Sequence, residues 1–194
     1  MNRRVLLGSL VATAGCPRQP CRSTISEEQI EGPYYLLLAL DRQDITEDRG
    51  GLPLQLEFTV VDEDCWPLAN ALVEVWHADA EGDYSGFGDT EGETWLRGSQ
   101  LSDDEGRVAF TTIVPGLYTN RTSHLHVRVA ASGFHELVTQ LYFSDEVNDA
   151  LRTEYGPGDT FNAGDAYYEP SNEVDSRPRR GGFEASATLE LVAR

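Results

Sequence analysis

Two histidines, His124 and His126, are separated by one residue in a run that favours a β-strand. Side chains alternate faces along a strand, so both imidazoles point to one side and can bind one metal ion, while Leu125 turns into the core. Tyr118, just after a turn opened at residues 115–116, can bring its phenol back toward the same point. A ferric ion is the hard, highly charged metal that keeps a phenol ionised, so these residues favour iron over zinc.

A second tyrosine, Tyr84, follows the apolar run 73–76 in a loop of Gly, Asp and Ser residues. Loops at the end of a rigid β-sandwich are where functional groups tend to be presented. Taken alone, a tyrosine in a loop more often packs or donates a hydrogen bond than binds a metal. A His-x-His pair also suits zinc or copper, or a solvated face, so a zinc or copper hydrolase using His124 and His126 stays an alternative at this point.

The elements that must position these residues are predicted to be strands. Apolar residues alternate or cluster in short runs separated by turn residues, without sustained helical periodicity, which predicts an all-β fold, a mostly antiparallel β-sandwich with long loops. The predicted strands are residues 54–60, 71–76, 108–113, 125–130, 137–143 and 187–192. Residues 145–182, rich in Gly, Pro, Asn and Asp, are predicted to form long surface excursions, with a short helix near residues 145–154.

The first residues resemble an export signal, with Arg3 and Arg4 before an uncharged run and then Cys16. We therefore predict an export signal at 1–15, a linker at 16–30 and a single β-sandwich catalytic domain at 31–194. Arg3 and Arg4 resemble a twin-arginine export motif, and Cys16 follows residues like those of a lipoprotein cleavage site, which predicts a periplasmic or cell-envelope location, with membrane attachment through lipid on Cys16 left open. Cys21 and Cys65 form either a disulfide or two buried free thiols.

The charge balance argues against some partners. The chain has 15 Lys and Arg against 33 Asp and Glu, a formal charge of -18. Its own field opposes attraction to nucleic acid or to an anionic membrane surface. A strongly anionic substrate is also disfavoured, unless a local basic group such as Arg121 overrides the field.

Linked segments along the chain together resemble one family. They are 31–35 (EGPYY), 73–84 (VEVWHADAEGDY), 96–98 (LRG), 104–107 (DEGR), 115–118 (PGLY), 121–126 (RTSHLH) and 139–143 (TQLYF). In this order they are similar to segments of the intradiol ring-cleavage dioxygenases. The resemblance implies a non-haem Fe(III) ion on a β-sandwich core, a small aromatic diol and O2 as substrates, and ring opening to a cis,cis-muconate-type diacid. Self-association into a homo-oligomer stays open.

The same resemblance implies roles for individual residues. Tyr84 and His124 would be the equatorial ligands of the iron, and Tyr118 and His126 the axial ones. Tyr118 would also take a proton from the substrate, and Arg121 would stabilise negative charge on its ring. The implied substrate pocket is lined by Gly32, Pro33, Tyr34 and Gln140.

Two further expectations concern specificity and an alternative function. Asp83 stands where protocatechuate-specific members have a basic residue, so we expect catechol, a substituted catechol or a plant or humic phenol as substrate. The alternative is an exported, non-catalytic β-sandwich binding module resembling transthyretin-like domains. The remaining histidines, His77 and His135, match no ligand position and are expected to make ordinary hydrogen bonds. Trp66, Trp76 and Trp95 are expected to be core or rim aromatics.

Overall fold

The computed structural model describes residues 23–155 and 161–194. Within them the strands are Thr24–Ile25 (β1), Pro53–Asp62 (β2), Leu72–Trp76 (β3), Arg97–Leu101 (β4), Arg107–Ile113 (β5), His124–Ala130 (β6), Leu137–Tyr142 (β7), Asp175–Arg179 (β8) and Gly182–Leu191 (β9). The helix Asp145–Tyr155 (α1) follows β7, and 3₁₀ turns lie at Gly88–Thr90, Asn162–Gly164 and Pro170–Asn172.

The strands form two sheets packed face to face. The first sheet has the order β1-β9-β2-β5, with β8 also paired to β9, and the second has the order β4-β3-β6-β7. Alternate side chains of both sheets fill the space between them; they include Leu56 and Phe58 of β2, Val73 of β3 and Leu125 of β6, all less than 2% exposed. The expected β-sandwich is confirmed, and all pairs of the second sheet are antiparallel.

The outer face of the second sheet carries polar and aromatic side chains. In β6, Leu125 and Val127 point into the core, so His124 and His126 point outward. Register pairs His126 with Trp76 of β3 and with Gln140 of β7. These side chains are nevertheless buried, since loops and the segment before residue 40 lie over this face. The fold therefore creates a covered polar site on the outside of a sheet.

Several boundaries differ from the sequence expectations. The chain joins the fold before residue 31, because β1 pairs with β9 and Ile25 belongs to the core. β2 and β9 pair in parallel, although they lie at opposite ends of the chain. Cys65 is disulfide-bonded and therefore not a free thiol. Its pairing with Cys21, one of the two alternatives left open above, falls outside the described residues, as do the export signal and Cys16.

The prediction that residues 145–182 form long surface excursions is wrong, because part of this segment is regular structure and part of it is buried. This segment contains the helix α1, which was expected, and the strand β8, which was not. It also buries Asn162, Asp165 and Asn172. These polar side chains tolerate burial because they are hydrogen-bonded: Asn162 Nδ2 donates to the carbonyl of Phe143 at 2.9 Å, and Asn172 Nδ2 donates to Thr139 Oγ1 at 2.8 Å.

Candidate metal centre

The two histidines of β6 lie side by side on the outer face of the second sheet, with ring centres 5.3 Å apart. His124 Nδ1 lies 2.7 Å from the carbonyl oxygen of Thr122, which can only accept a hydrogen bond, so Nδ1 carries the hydrogen. The other nitrogen, Nε2, then carries the lone pair, and it lies 3.1 Å from the hydroxyl of Tyr118. The backbone thus fixes the tautomer that leaves His124 Nε2 free to bind a metal.

Tyr84 is presented by a loop that is tightly folded before it. Asp79 Oδ1 accepts the backbone N–H of Glu81 at 3.1 Å and of Asp83 at 2.9 Å, which closes the turn. Behind Tyr84, Arg97 of β4 donates from Nε to Ser85 Oγ at 2.9 Å and from Nη2 to the carbonyl of Ser85 at 2.8 Å. Both sides of Tyr84 are therefore anchored to the framework.

Tyr118 stands at the start of a tight turn in which Thr119 and Asn120 have positive φ. The N–H of Arg121 donates to the carbonyl of Tyr118 at 2.6 Å. This hydrogen bond closes the turn and brings the backbones of Tyr118 and Arg121 next to each other. The Tyr118 and Tyr84 hydroxyls lie 3.1 Å apart. This approach depends on Gly82, where a Cβ would lie 2.5 Å from Tyr118 Cβ and where φ is +93°.

His126 is held by ring packing rather than by hydrogen bonds. Trp76 stacks on it with a centre distance of 5.1 Å and an interplanar angle of 11°. Gly32 lies on the imidazole, since a Cβ there would be 3.1 Å from His126 Cε1. Nδ1 of His126 is buried without a hydrogen-bond partner among the described residues. A buried ring nitrogen normally has a hydrogen-bond partner, so an unpaired one beside Tyr84 and His124 is consistent with a histidine that binds a metal.

Burial sets the protonation of the site. It lowers the pKa of His124 to about 3, with the charge of Arg121 acting in the same direction, and it holds the pKa of His126 well below the ordinary value, helped by His124. Both imidazoles are therefore neutral and can donate lone pairs to a metal. Burial also raises the pKa of Tyr84 well above its ordinary value, and the neighbouring Tyr118 raises it further. Without a cation, this phenol keeps its proton.

The two tyrosines differ in exposure. Tyr84 is 5% exposed and stacks against Tyr34, with ring centres 4.3 Å apart. Tyr118 is half-buried, and burial raises its pKa while the hydrogen bond from Tyr84 and the charge of Arg121 lower it. Tyr118 is thus the more accessible of the two phenols, and the charge of Arg121 lowers the pKa of both.

The predicted pocket residues surround this cluster. Gly32 and Tyr34 contact His126 and Tyr84 as described, and Pro33 between them is exposed. Gln140 Nε2 donates to the carbonyl of Ile30 at 3.1 Å, and its Oε1 accepts from Arg121 Nη2. The structure therefore brings Tyr84, Tyr118, Arg121, His124, His126, Gly32, Tyr34 and Gln140 to one place. Pro33 follows Gly32 in the same covering segment.

Other residues at the site were not identified from the sequence. Trp76 was expected only as a core or rim aromatic, yet it stacks on His126. Asp165 is buried and lies 2.8 Å from Arg121 Nε, and the Tyr167 ring centre lies 4.9 Å from Arg121 Cζ. The cross-strand register could have revealed Trp76, but no local pattern marks Asp165 or Tyr167, because they reach the site from a distant segment.

The expectation for His77 agrees with its contacts. Its Nδ1 and Nε2 lie 2.8 Å from the carbonyl of Ala78 and 2.7 Å from Thr112 Oγ1. Both ring nitrogens are therefore occupied, which leaves no lone pair for a metal. Trp66 is exposed, and Trp95 is buried.

The donor set suits a hard cation with mixed oxygen and nitrogen ligands. In residues 23–155 and 161–194, no group of three or more His, Cys, Asp or Glu side chains could hold a metal ion. A site on His124 and His126 therefore requires Tyr84 and Tyr118. Two phenols and two neutral imidazoles suit Fe(III), whereas zinc sites are built from Cys, His, Asp and Glu side chains.

The comparisons with known proteins agree with this geometry. A family model described as Dioxygenase matches residues 30–151. Catechol 1,2-dioxygenase of Acinetobacter baylyi is 36% identical over 138 residues, which cover 58% of this chain and 44% of that protein. The chain spans about half the length of the curated relatives it matches.

Two solved structures are similar over most of the chain. The dioxygenase domain of a dioxygenase and carbohydrate-binding protein fusion from Streptomyces sp. SirexAA-E is 32% identical with a TM-score of 0.70, covering 87% of this chain and 99% of that one. An intradiol ring-cleavage dioxygenase from Tetranychus urticae is 27% identical with a TM-score of 0.78, covering 91% and 95%.

Proposed function

This chain belongs to the intradiol ring-cleavage dioxygenase family, and we propose that it is a ferric-iron enzyme that opens the ring of a catechol with O2 to a cis,cis-muconate-type diacid. The observation that carries the proposal is the contact chain from the Tyr84 hydroxyl to the Tyr118 hydroxyl to His124 Nε2, each step 3.1 Å. The unpaired His126 Nδ1 supports it. Without a metal ion these three atoms are linked by hydrogen bonds, and the same three atoms are close enough together to bind one cation in a buried site.

Tyr84, Tyr118, His124 and His126 would hold the iron. Fe(III), when bound, keeps the phenols ionised and draws electron density from a chelated catecholate, which makes the ring reactive toward O2. Tyr84 is the buried, permanent anchor, since its ring is clamped by Tyr34. Tyr118 is half-buried, so its phenolate oxygen is placed to accept a proton from an arriving catechol and to move aside.

Arg121 and the covering segment act on the substrate. Arg121 lies beside Tyr118 and presents its guanidinium to the ring of the substrate, where it stabilises negative charge that develops during ring opening. A groove of about 330 Å³, lined by Gln29, Ile30 and Tyr167 among others, lies on the side where the Tyr167 ring covers Arg121.

We propose catechol or a catechol with neutral substituents as the substrate. Asp83 is exposed directly before Tyr84, and the whole chain carries a formal charge of -18. Both oppose binding of a carboxylated catechol such as protocatechuate. Turnover of catechol and protocatechuate by the iron-loaded protein tests this, and a higher kcat/KM for protocatechuate would overturn the choice of substrate.

The activity is tested by colour, iron content and product. Iron-loaded protein should show the visible charge-transfer band of phenolate bound to Fe(III) and should yield a muconate-type diacid from catechol. Tyr118→Phe should keep part of the iron through the other three ligands and lose most ring opening. His124→Ala should lose the iron outright, while the exposed His135→Ala should behave as the wild type.

Two results would contradict the proposal. One is a colourless protein after purification with ample Fe(III), which would favour the non-catalytic binding module. The other is near-normal ring opening in both Tyr118→Phe and His124→Ala.

The location of the protein is a separate proposal. We infer export from the leader-like residues 1–15, and the disulfide at Cys65 supports an oxidising compartment. Within residues 23–155 and 161–194, no helix has the length and apolar character to cross a membrane. Attachment through lipid on Cys16 is tested by fractionating cells that express the full chain and its Cys16→Ser variant; release of only the variant from the membrane fraction supports lipidation, and identical distributions contradict it.

A further inference from the structure

The Arg121 guanidinium is held on three sides. Its Nε donates to Asp165 Oδ2 at 2.8 Å, and its Nη2 donates to Gln140 Oε1. The ring of Tyr167 covers one face, with its centre 4.9 Å from Cζ. These contacts hold a long, flexible side chain in one orientation.

Asp165 is built into the protein rather than resting on its surface. Its side chain is 0% exposed. Besides Arg121, Oδ2 accepts the N–H of Thr122 at 3.0 Å, and Oδ1 accepts the N–H of Tyr167 at 2.9 Å. A carboxylate can be buried when its oxygens are satisfied in this way. One oxygen thus bridges the Arg121 side chain and the backbone of the next residue.

The hydrogen bond from the Thr122 N–H to Asp165 also links Asp165 to the proposed metal ligand His124. The carbonyl of Thr122 is the acceptor for His124 Nδ1, so Asp165 holds the same peptide segment that sets the tautomer of His124. Thr122 Oγ1 is anchored as well, since it donates to Asn162 Oδ1 at 2.6 Å and accepts from Asn148 Nδ2 at 2.8 Å. The residues after α1 therefore brace the stretch from Arg121 to His124.

We propose that Asp165 is a positioning residue for ring cleavage, which fixes the Arg121 guanidinium against the place where the substrate ring develops negative charge. This inference rests on the function proposed above. Its physical basis is preorganisation: a donor already held in position stabilises the transition state without having to reorient, and a displacement of about 1 Å can lower the rate roughly 100-fold. Asp165 lies outside residues 30–151, where the family model matches.

A purely structural role is the competing explanation, because Asp165 also ties down residues 161–169. Asp145 provides the matched control. Its Oδ1 accepts the N–H of Asn162 at 3.1 Å and Asn148 Nδ2 at 3.3 Å, so it anchors the same segment without contacting Arg121. Asp145→Asn and Asp165→Asn make the same chemical change at two ends of one segment.

The kinetic experiment measures kcat, KM, iron content and the charge-transfer band of the iron-loaded full chain. Asp165→Asn should keep iron and colour and lower kcat for catechol roughly 10- to 100-fold, with KM changed by less than about threefold. Asp145→Asn should keep kcat within about twofold of the wild type. In an Arg121→Ala background, Asp165→Asn should lower kcat no further, because its effect runs through Arg121.

A second measurement does not depend on activity. In the iron-free, ¹⁵N-arginine-labelled full chain, the Nε–H resonance of Arg121, assigned by its absence in Arg121→Lys, should exchange slowly with water in the wild type and in Asp145→Asn. It should shift and exchange faster in Asp165→Asn. If that variant does not fold, Asp165→Ser replaces it in both measurements, since serine also removes the carboxylate and fits into the space that aspartate occupied.

The proposal is overturned by wild-type kcat in the Asp165 variant, by an equal loss of kcat in the Arg121→Ala background, or by an unchanged Arg121 Nε–H resonance. Failure of the proposed function is distinguishable from these results. A wild-type protein that opens no catechol ring would refute the function, and the resonance measurement would still show whether Asp165 orients Arg121.

Discussion

Replacing the buried His77 should flatten the pH dependence of stability. His77 is 1% exposed, and burial lowers its pKa to about 4, with the charge of Arg97 lowering it further and the hydrogen bond to the Ala78 carbonyl opposing the shift. In the unfolded chain the same imidazole has a pKa of about 6.5. Between these two values the unfolded state binds more protons than the folded state, so the free energy of unfolding falls as pH falls from 6.5 to 4.

The size of this effect follows from the two pKa values. Each pKa unit corresponds to about 1.36 kcal/mol. At pH 7 both states are largely unprotonated at His77, and at pH 5 the unfolded state is largely protonated while the folded state is not. His77 should therefore remove about 2 kcal/mol from the free energy of unfolding between pH 7 and pH 5.

The assay compares urea unfolding of the wild type and His77→Gln at pH 7 and pH 5, with the disulfide kept intact. Glutamine does not titrate, so the loss of stability between the two pH values should be about 2 kcal/mol smaller in the variant, whatever its stability at pH 7. Other histidines contribute equally to both proteins and cancel in this difference. An identical loss in the two proteins would refute the assigned pKa and its origin in burial. The variant should also keep the iron, because both ring nitrogens of His77 are already hydrogen-bonded.

Three further substitutions test how the site is held, each by urea unfolding and iron content. Gly82→Ala should destabilise by about 2 kcal/mol and lower iron content, since its Cβ would lie 2.5 Å from Tyr118 Cβ; Gly92→Ala, with similar φ but open space, is the control, and equal losses would contradict the steric argument. Asn148→Ala should cost about 2 to 3 kcal/mol because the buried N–H of Ser123 loses its acceptor and the oxygens of Thr122 and Asn162 each lose a donor, whereas a loss like that of an exposed alanine substitution would show that the network contributes little. Arg97→Lys should cost about 2 kcal/mol and weaken the charge-transfer band, because lysine cannot make both hydrogen bonds to the residue after Tyr84; an unaltered band would separate Arg97 from the placement of Tyr84.

Part of the site could be predicted from the strand pattern of the sequence. Alternation alone placed His124 and His126 on one face and Leu125 in the core, as the structure has them. Contacts between residues far apart in the sequence were harder to predict. Tyr84 and Tyr118 come together because the chain approaches closely at Gly82, and no pattern of residue types shows this approach. The two tyrosines were assigned to one site because of the resemblance to known dioxygenases and not because of sequence periodicity.

Other features could not be predicted because they depend on pairings between distant segments. β2 pairs with β9 in parallel, and alternation identifies a strand but not its neighbour. β4 was not predicted, because its sequence, with Arg97, Gly98 and Ser99, lacks the apolar residues of a buried strand. Polar composition likewise predicted surface loops after α1, where Asn162 is in fact buried and hydrogen-bonded. Composition predicts burial only when the partners of a polar side chain are local.

The pairing of Arg121 with Asp165 also bears on how an acidic protein could accept a catechol that must lose protons. Salt screens the charge of exposed carboxylates beyond about 8 Å, whereas Arg121 is half-buried and close enough for its charge to lower the pKa of Tyr118. Yet its formal charge is balanced by Asp165 at 2.8 Å, so the pair offers directed N–H donors with little net positive charge. Such a pair can stabilise charge that appears on a ring during the reaction, but it cannot attract a carboxylate that is present from the start. The structure thereby gives a local reason, beyond the charge of -18, to expect catechol to be preferred over protocatechuate.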